Sequence, residues 1–170
     1  MRLILISDTH GSQPAVPNGD VLIHAGDFAC GDDQASLRRD IDWFKSQPHR
    51  HKILVPGNHD LILVHQKDPQ TLLGSIHYLV DRGVTIDGVT FHGLAWKTPV
   101  LIPSGVDVLV SHMPPRGILD AGRGCPTLRR AVALSQPRAH VFGHIHEAHG
   151  EIEMGRTRFY NAARFRVATI

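Results

Sequence analysis

Cysteine is scarce in this sequence. Its 170 residues include two cysteines, Cys30 and Cys125, which lie far apart and form no Cys-x-x-Cys spacing. A disulfide framework needs several paired cysteines and a thiolate zinc site needs closely spaced ones, so neither is expected. We interpret both residues as reduced thiols of a cytosolic protein.

Long apolar runs and a strong net charge are also absent. No run approaches the roughly 20 apolar residues of a membrane span, and the run at residues 3–6 is too short for the core of a signal peptide. The formal net charge is +2, and no basic strip interleaved with aromatic residues occurs. We therefore expect a cytoplasmic protein that has neither membranes nor nucleic acid as partners.

Histidine is the residue in excess. The chain has 13 histidines, and several of them lie beside Asp, Gly or Asn. Because histidine is the commonest metal ligand in proteins, this excess suggests a metal site. The length of 170 residues and the apolar content of 42% are typical of one globular domain. We expect residues 1–170 to form a single domain.

The pattern of apolar runs predicts an α/β fold. Short buried strands alternate with segments of helical spacing, and an Asp87-Gly88 turn joins two β-rich runs. This pattern favours a parallel or mixed sheet covered by helices. The predicted strands are residues 2–6, 20–24, 52–55, 84–86, 89–92, 106–110 and 140–142, and the predicted helices are residues 33–46, 61–75 with a break near 68–69, and 126–135. Residues 150–170 are predicted to form antiparallel strands.

A polar turn follows the third predicted strand. Pro56 ends the strand by removing a backbone donor, Gly57 permits a tight turn, and the next residues are Asn58, His59 and Asp60. Turns at the carboxyl ends of buried strands are where α/β proteins place ligands and chemistry. Taken alone, the motif also fits a turn with an Asx hydrogen bond and a surface histidine.

Four further strand ends carry residues of the same kind. They are Asp8 with His10, Asp27, His112, and His144 with His146. In an extended backbone, residues two apart point their side chains to one side, so each pair could hold one ion. Mixed Asp, His and Asn ligation without thiolates suits Mn, Fe, Zn, Co or Ni rather than calcium. With Asn58 the ligands number seven, too many for one tetrahedral site, and they divide naturally between two ions with one shared carboxylate.

Together these motifs resemble a known family. Asp-x-His, Gly-Asp, Gly-Asn-His-Asp, a lone histidine after a strand, and Gly-His-x-His occur in this order between Asp8 and His146. The combination is similar to that of the calcineurin-like metallophosphoesterase superfamily. The wording of residues 22–28, 114–120 and 141–147 is similar to its small metallophosphoesterase-domain branch, which is related to class III cyclic nucleotide phosphodiesterases.

One segment departs from that branch. The loop after Gly93 is expected to be richer in aromatic residues, and here Trp96 is the single aromatic residue between Gly93 and Gly105. The preference for a particular substrate is therefore not carried over from the relatives.

The resemblance implies a fold and a set of ligands. The fold would be α/β, with two mixed β-sheets packed as a sandwich and flanked by helices in four αββα layers. Two divalent metal ions would be bound, with manganese first among the candidates and iron, zinc, magnesium, cobalt and nickel as the others. The first ion would take Asp8, His10, Asp27 and His146, and the second would take Asp27, Asn58, His112 and His144.

The implied activity is hydrolysis of a small-molecule phosphate ester. Two cations would clamp the phosphoryl oxygens, and a water that they bind would ionise to the attacking hydroxide near neutral pH. His59 would be a catalytic residue beside the scissile phosphate, with Asp60 orienting it. We expect phosphodiesters, cyclic nucleotides among them, because of the related phosphodiesterases and because few basic residues could hold the extra charge of a monoester.

Candidates for substrate binding are Trp96, Lys97 and Arg116, with Arg123 as a further basic residue. Trp96 fits equally well as a packing residue. Two other functions stay open: a protein-binding scaffold of this fold that has lost catalysis, and a nuclease. Every motif position is filled, His59 included, which disfavours the scaffold. The missing basic strip disfavours the nuclease.

Overall fold

The computed structural model describes residues 1–29, 33–96, 100–163 and 165–170. Within these ranges the strands form two sheets. The strands are β1 (Arg2–Ile6), β2 (Val21–Ala25), β3 (His51–Val55), β4 (His77–Tyr78), β5 (Arg82–Ile86), β6 (Val89–Gly93), β7 (Val108–Val110), β8 (Ala139–Phe142), β9 (Gly150–Met154), β10 (Thr157–Asn161) and β11 (Arg166–Thr169). The α-helices are α1 (Gln34–Ser46), α2 (Leu61–Val64), α3 (Pro69–Leu73) and α4 (Pro126–Ser135), and His146–Ala148 form a 3₁₀ turn.

Both sheets have a parallel centre, with an antiparallel strand at one edge of the five-stranded sheet and at both edges of the six-stranded sheet. The five-stranded sheet has the order β11-β1-β2-β3-β4, and the six-stranded sheet has the order β5-β6-β7-β8-β10-β9. The strands β1 to β4 are mutually parallel, as are β6, β7, β8 and β10. Antiparallel pairs occur at β11–β1, β5–β6 and β9–β10. The central strands of each sheet therefore run in the same direction, and their carboxyl ends lie together at one end of the sheet.

The two sheets pack face to face. Side chains alternate across a strand, so every second residue of the central strands enters the layer between the sheets. The buried residues of this layer include Leu3, Leu5, Val21, Ile23, Ile53 and Val55 from the first sheet and Phe91, Val108, Val110, Ala139 and Val141 from the second. This shared core makes a β-sandwich.

Helices cover both outer faces. Leu37, Ile41 and Phe44 of α1 pack on outward-facing residues of the first sheet such as Leu22 and Leu54. In the same way, Leu128 and Val132 of α4 pack on Leu109, Phe142 and Phe159 of the second sheet. The predicted four-layer αββα sandwich is thereby confirmed. None of the helices in the described ranges is long and apolar enough to cross a membrane.

The predicted helices are confirmed, with one refinement. The helix predicted at residues 33–46 begins after Asp33, whose Oδ1 accepts the amide of Ser36 at 2.8 Å, an N-cap bond. The second helical segment breaks before Pro69, as the sequence predicts, and gives two short helices.

The antiparallel strands predicted for residues 150–170 are confirmed, and the structure shows which strands they pair with. β9 and β10 form the expected antiparallel pair, but β11 joins the other sheet and pairs antiparallel with β1. The reason is that β10 already has β9 on one side and β8 on the other, so no edge is left for a third partner. The free edge of β1 accepts the strand instead, with Ala168 opposite Leu3. The two-residue strand β4 was missed because it is too short to show a period.

We predict that Leu37→Ala lowers the free energy of unfolding by about 2–5 kcal/mol, because a fully buried side chain between α1 and the sheet leaves a cavity. Leu134→Ala is the matched control, since this leucine of α4 is 87% exposed. We expect the control to change stability by less than about 0.5 kcal/mol. Urea unfolding measures both values. Equal effects would contradict the placement of α1 on the sheet.

Candidate metal centre

The predicted site residues follow the strands of both sheets. β1, β2 and β3 of the first sheet and β7 and β8 of the second end beside each other at one edge of the sandwich. The residues just beyond these strand ends are Asp8, His10, Asp27, Asn58, His59, His112, His144 and His146. Turns from two sheets thus meet in one place, as at the ligand-binding edge of other α/β folds.

Asp8, His10 and His146 form a first group. One potential ligand atom from each of these residues lies within 4.8 Å of the others. Nε2 of His146 is 3.1 Å from Oδ1 of Asp8. The carboxylate of Asp8 is buried, whereas the side chains of His10 and His146 are 36% and 59% exposed. This group therefore lies at the rim, open to solvent on the histidine side.

A second group consists of Asp27, His112 and His144, and one potential ligand atom from each of them lies within 4.8 Å of the others. Nε2 of His112 lies 3.1 Å from Oδ2 of Asp27, and both side chains are buried. Nδ1 of His112 lies 2.8 Å from the carbonyl oxygen of Ala25. That carbonyl can only accept, so Nδ1 carries a proton, and in the neutral ring Nε2 presents its lone pair to the site.

Asp27 lies between the two groups. Its Oδ2 is 3.8 Å from Nε2 of His10 in the first group and 3.1 Å from Nε2 of His112 in the second. Its Oδ1 accepts the backbone amide of His59 at 2.9 Å, which fixes the carboxylate in orientation. Oδ1 of Asp8 is in turn 3.9 Å from Nε2 of His112. The carboxylate of Asp27 therefore lies close to potential ligand atoms of both groups.

The facing atoms of His112 and Asp27 favour a positive charge between them. In the neutral ring Nε2 of His112 and the carboxylate oxygen both present lone pairs, so a positive charge between them is favoured, either a proton on Nε2 or a cation. Burial alone would lower the pKa of His112, but Asp27 and Asp8 raise it above its ordinary value. Burial alone would raise the pKa of Asp27, but His112 and the amide of His59 lower it to about 2. The pair is arranged to bind positive charge.

Asn58 supplies an additional oxygen. Its Oδ1 is buried and has no hydrogen-bond partner in the described part of the chain. A buried amide oxygen without a donor is costly and therefore uncommon in folded proteins. This unused acceptor fits a divalent cation, which amide oxygens coordinate readily.

The backbone of the ligand turns is left-handed rather than extended. The φ angles of Asp8, His10, Asp27 and His144 are 56°, 45°, 54° and 67°. The sequence argument from extended spacing was therefore wrong. It paired His144 with His146, which enter different groups. It paired Asp8 with His10, which do share a group, through two left-handed residues and not through an extended strand. Such backbone is disfavoured for non-glycine residues and is characteristic of functional sites.

Two glycines allow the turns to approach each other closely. A Cβ atom at Gly57 would overlap the carboxylate and amide of Asp27. A Cβ atom at Gly143 would overlap Asp8 and the neighbouring Ser7. The glycines in the Gly-Asn-His and Gly-His-x-His motifs are thus required by the contact between turns.

The predicted role of Asp60 requires correction. The side chain is fully buried, and its carboxylate accepts the backbone amides of Phe28, Ala29 and Gly57 at 2.8–2.9 Å. The ring of His59 is not among its hydrogen-bond partners in the described residues. The pKa of Asp60 is raised by burial, while the three amides oppose this. Asp60 ties the turn after β3 to the turn after β2 and does not orient His59.

His59 itself lies at the rim. Its side chain is exposed, and its ring meets that of His10 edge-on with 5.2 Å between centroids. It belongs to neither group of ligand atoms within the described chain.

Of the residues predicted to touch substrate, Trp96 lies against the centre. Its half-buried ring is 5.5 Å from the ring of His112 and 5.0 Å from that of His144. Arg116 instead donates to the carbonyl of Gly122 within its own loop. Lys97 lies outside the described residues.

Arg123 lies beside the turn that carries His144 and His146. Its guanidinium pairs with Glu147, the residue after His146. Burial lowers the pKa of His144, and the charge of Arg123 adds to this. Sequence reasoning overlooked Glu147. Its position directly after the His-x-His motif was the one available signal.

Comparison with known proteins gives consistent findings. The family model described as calcineurin-like phosphoesterase matches residues 1–148. UPF0046 protein K07C11.7 of Caenorhabditis elegans is 36% identical in an alignment that covers 96% of this chain and 70% of that protein. Metallophosphoesterase domain-containing protein 1 of Homo sapiens is 33% identical, over 95% of this chain and 65% of its own length. This chain therefore spans slightly less than two thirds of the human protein.

Among solved structures, TT1561 of Thermus thermophilus is similar to this chain, with a TM-score of 0.65 at 11% identity. The match covers 98% of this chain and 97% of that one. At so low an identity it shows the shared fold alone.

We predict that Asp60→Ala lowers the free energy of unfolding by at least about 2 kcal/mol, because buried amides lose their acceptor. Asp42→Ala on the exposed face of α1 is the control and should be nearly neutral. Chemical unfolding gives both values. If Asp60→Ala lowers the free energy of unfolding as little as the control does, and if it changes the pH profile of activity, Asp60 acts as the partner of His59 instead.

Proposed function

This chain belongs to the calcineurin-like phosphoesterase family, and from that premise we propose that it binds two divalent cations and hydrolyses phosphodiesters. Family membership and the ligand groups support a metal-dependent phosphoesterase. The two cations, the preference for diesters and the roles of individual residues are the proposal.

The observation that carries the proposal is the position of Asp27 between the two ligand groups. In binuclear phosphoesterases two ions lie about 3.5–4 Å apart, so one bridging carboxylate suits them. We assign Asp8, His10 and His146 to one cation, and Asn58, His112 and His144 to the other, with Asp27 shared. The unpartnered Oδ1 of Asn58 and the lone pair of His112 Nε2 support this assignment.

The donor set favours borderline divalent ions. Imidazole nitrogens and carboxylate or amide oxygens, without thiolates, accept manganese, iron, zinc, cobalt or nickel. We propose manganese as the first ion to test, and magnesium as the hard-ion alternative.

The chain's own residues would divide the remaining work. When bound, the cations would supply activation of water and compensation of phosphate charge. His59 would stabilise the transition state or donate a proton to the leaving oxygen, because its exposed ring stands beside His10 at the rim. The bond from its amide to Asp27 fixes its backbone relative to the shared ligand. Trp96 would line the opposite side, against His112 and His144.

The preference for diesters follows from charge. A phosphate monoester carries about 1.5–2 negative charges near pH 7, and a diester carries one. In the described part of the chain, Arg116 is engaged by Gly122 and Arg123 by Glu147. With these two arginines engaged, the monoanionic ester is the better match. Cyclic nucleotides and aryl diesters are the substrates to screen first.

We predict that Asp27→Ala and His112→Ala each abolish Mn²⁺-dependent hydrolysis of bis-p-nitrophenyl phosphate. The first variant loses the proposed shared ligand, and the second loses a proposed ligand of the second cation. Asp42→Ala and His65→Ala, at exposed positions, are the matched controls and should retain the wild-type rate. Thermal melts verify that the variants are folded. Undiminished activity in either ligand variant would refute the assigned site.

We also predict that His59→Ala lowers kcat by about 10²–10⁴ while Mn²⁺ affinity stays at the wild-type value. If His59 protonates the leaving oxygen, the loss will be larger for a poor leaving group, such as the ribose oxygen of a cyclic nucleotide, than for p-nitrophenolate. Steady-state kinetics on both substrates and calorimetric titration with Mn²⁺ measure this. An equal loss on both substrates would exclude proton donation by His59.

A further inference from the structure

Two fully buried histidines belong to neither ligand group. His24 lies on β2 and His140 lies on β8. Burial lowers the pKa of each to about 3, so both rings are neutral. In each ring Nδ1 is buried and has no hydrogen-bond partner in the described chain. An unpartnered buried nitrogen destabilises the fold, and an apolar side chain would avoid that cost, so the other ring nitrogen is expected to have a use.

The other nitrogen binds a hydroxyl in both cases. Nε2 of His24 is 2.9 Å from Oγ1 of Thr9, and Nε2 of His140 is 2.9 Å from Oγ of Ser111. Each hydroxyl also donates its single proton to a carbonyl, Thr9 to Phe28 at 3.0 Å and Ser111 to Met113 at 2.8 Å. The hydroxyl must therefore accept from the imidazole, which fixes the tautomer with the proton on Nε2.

The two hydroxyls stand directly beside proposed ligands. Thr9 lies between Asp8 and His10, whose backbones are both left-handed. Its two bonds hold this disfavoured turn against β2 and against the segment after β2. Ser111 precedes His112, and its bond to Met113 closes a ring of atoms around the backbone of His112. The same arrangement, a buried histidine bonded to a hydroxyl beside a proposed ligand, thus occurs once for each ligand group.

We propose that Thr9 and Ser111, each held by a buried neutral histidine, are positioning residues for the two cation sites. Thr9 sets the first group and Ser111 sets the second. The inference rests on the proposed function, because it presumes that both groups bind a cation. Neither hydroxyl touches the cation or the substrate, so each acts only through the neighbouring ligands.

The test is calorimetric titration of the full chain with Mn²⁺. Thr9→Val and Ser111→Ala should each weaken one of two binding events by about 10–100-fold, the usual effect of removing a group that orients a ligand. Thr9→Ser and Ser111→Thr keep the hydroxyl and should restore the affinity. At saturating Mn²⁺ the kcat of each variant should return to the wild-type value, whereas the Mn²⁺ concentration for half-activation should rise by the same factor as the dissociation constant.

Thr157→Val is the matched control. The hydroxyl of Thr157 is also buried and donates to a carbonyl, that of Pro137 at 2.7 Å, but it lies at the start of β10, at the opposite end of the sheet. Its loss should leave Mn²⁺ binding unchanged. Unchanged affinity in Thr9→Val and Ser111→Ala would overturn the inference, and so would an equal loss in Thr157→Val. A wild-type chain that binds no Mn²⁺ would overturn the proposed function itself, and the inference with it.

Discussion

The site depends on a buried contact of 3.1 Å between Nε2 of His112 and Oδ2 of Asp27. Because Nδ1 of His112 donates to the carbonyl of Ala25, Nε2 is the ring atom that faces Asp27, and in the neutral ring it presents a lone pair. Oδ2 of Asp27 faces this nitrogen and also presents lone pairs. A cation held by these two residues would take the place of a proton on Nε2, and His144 would be the third ligand of the same group. Binding of a cation at this contact would then require His112 to be neutral.

The sandwich supplies what a single sheet could not. Asp8, Asp27 and Asn58 come from the first sheet, and His112 and His144 come from the second. Face-to-face packing brings the two sets of turns together over one shared apolar core. The left-handed ligand residues and the glycines that permit close contact are the local cost of this convergence. The rigid strands beneath hold the strained turns in place.

Sequence reasoning identified the family, the layered fold and the residue types of the centre, because all of these are carried by short motifs at strand ends. Six of the seven predicted ligands lie in the two groups. It failed where the answer depended on long-range geometry. The partner of β11 was decided by which sheet edge was free, and the partners of Asp60 by amides about 30 residues away along the chain. Left-handed φ angles at aspartate and histidine leave no pattern in a sequence.

The most direct measurement is the anomalous scattering of a crystal grown with manganese. The account predicts two peaks about 3.5–4 Å apart, with Asp27 bound to both, His10 on one side and His112 on the other. A single peak, or two peaks with no shared carboxylate, would contradict the central claim that Asp27 joins two cation sites.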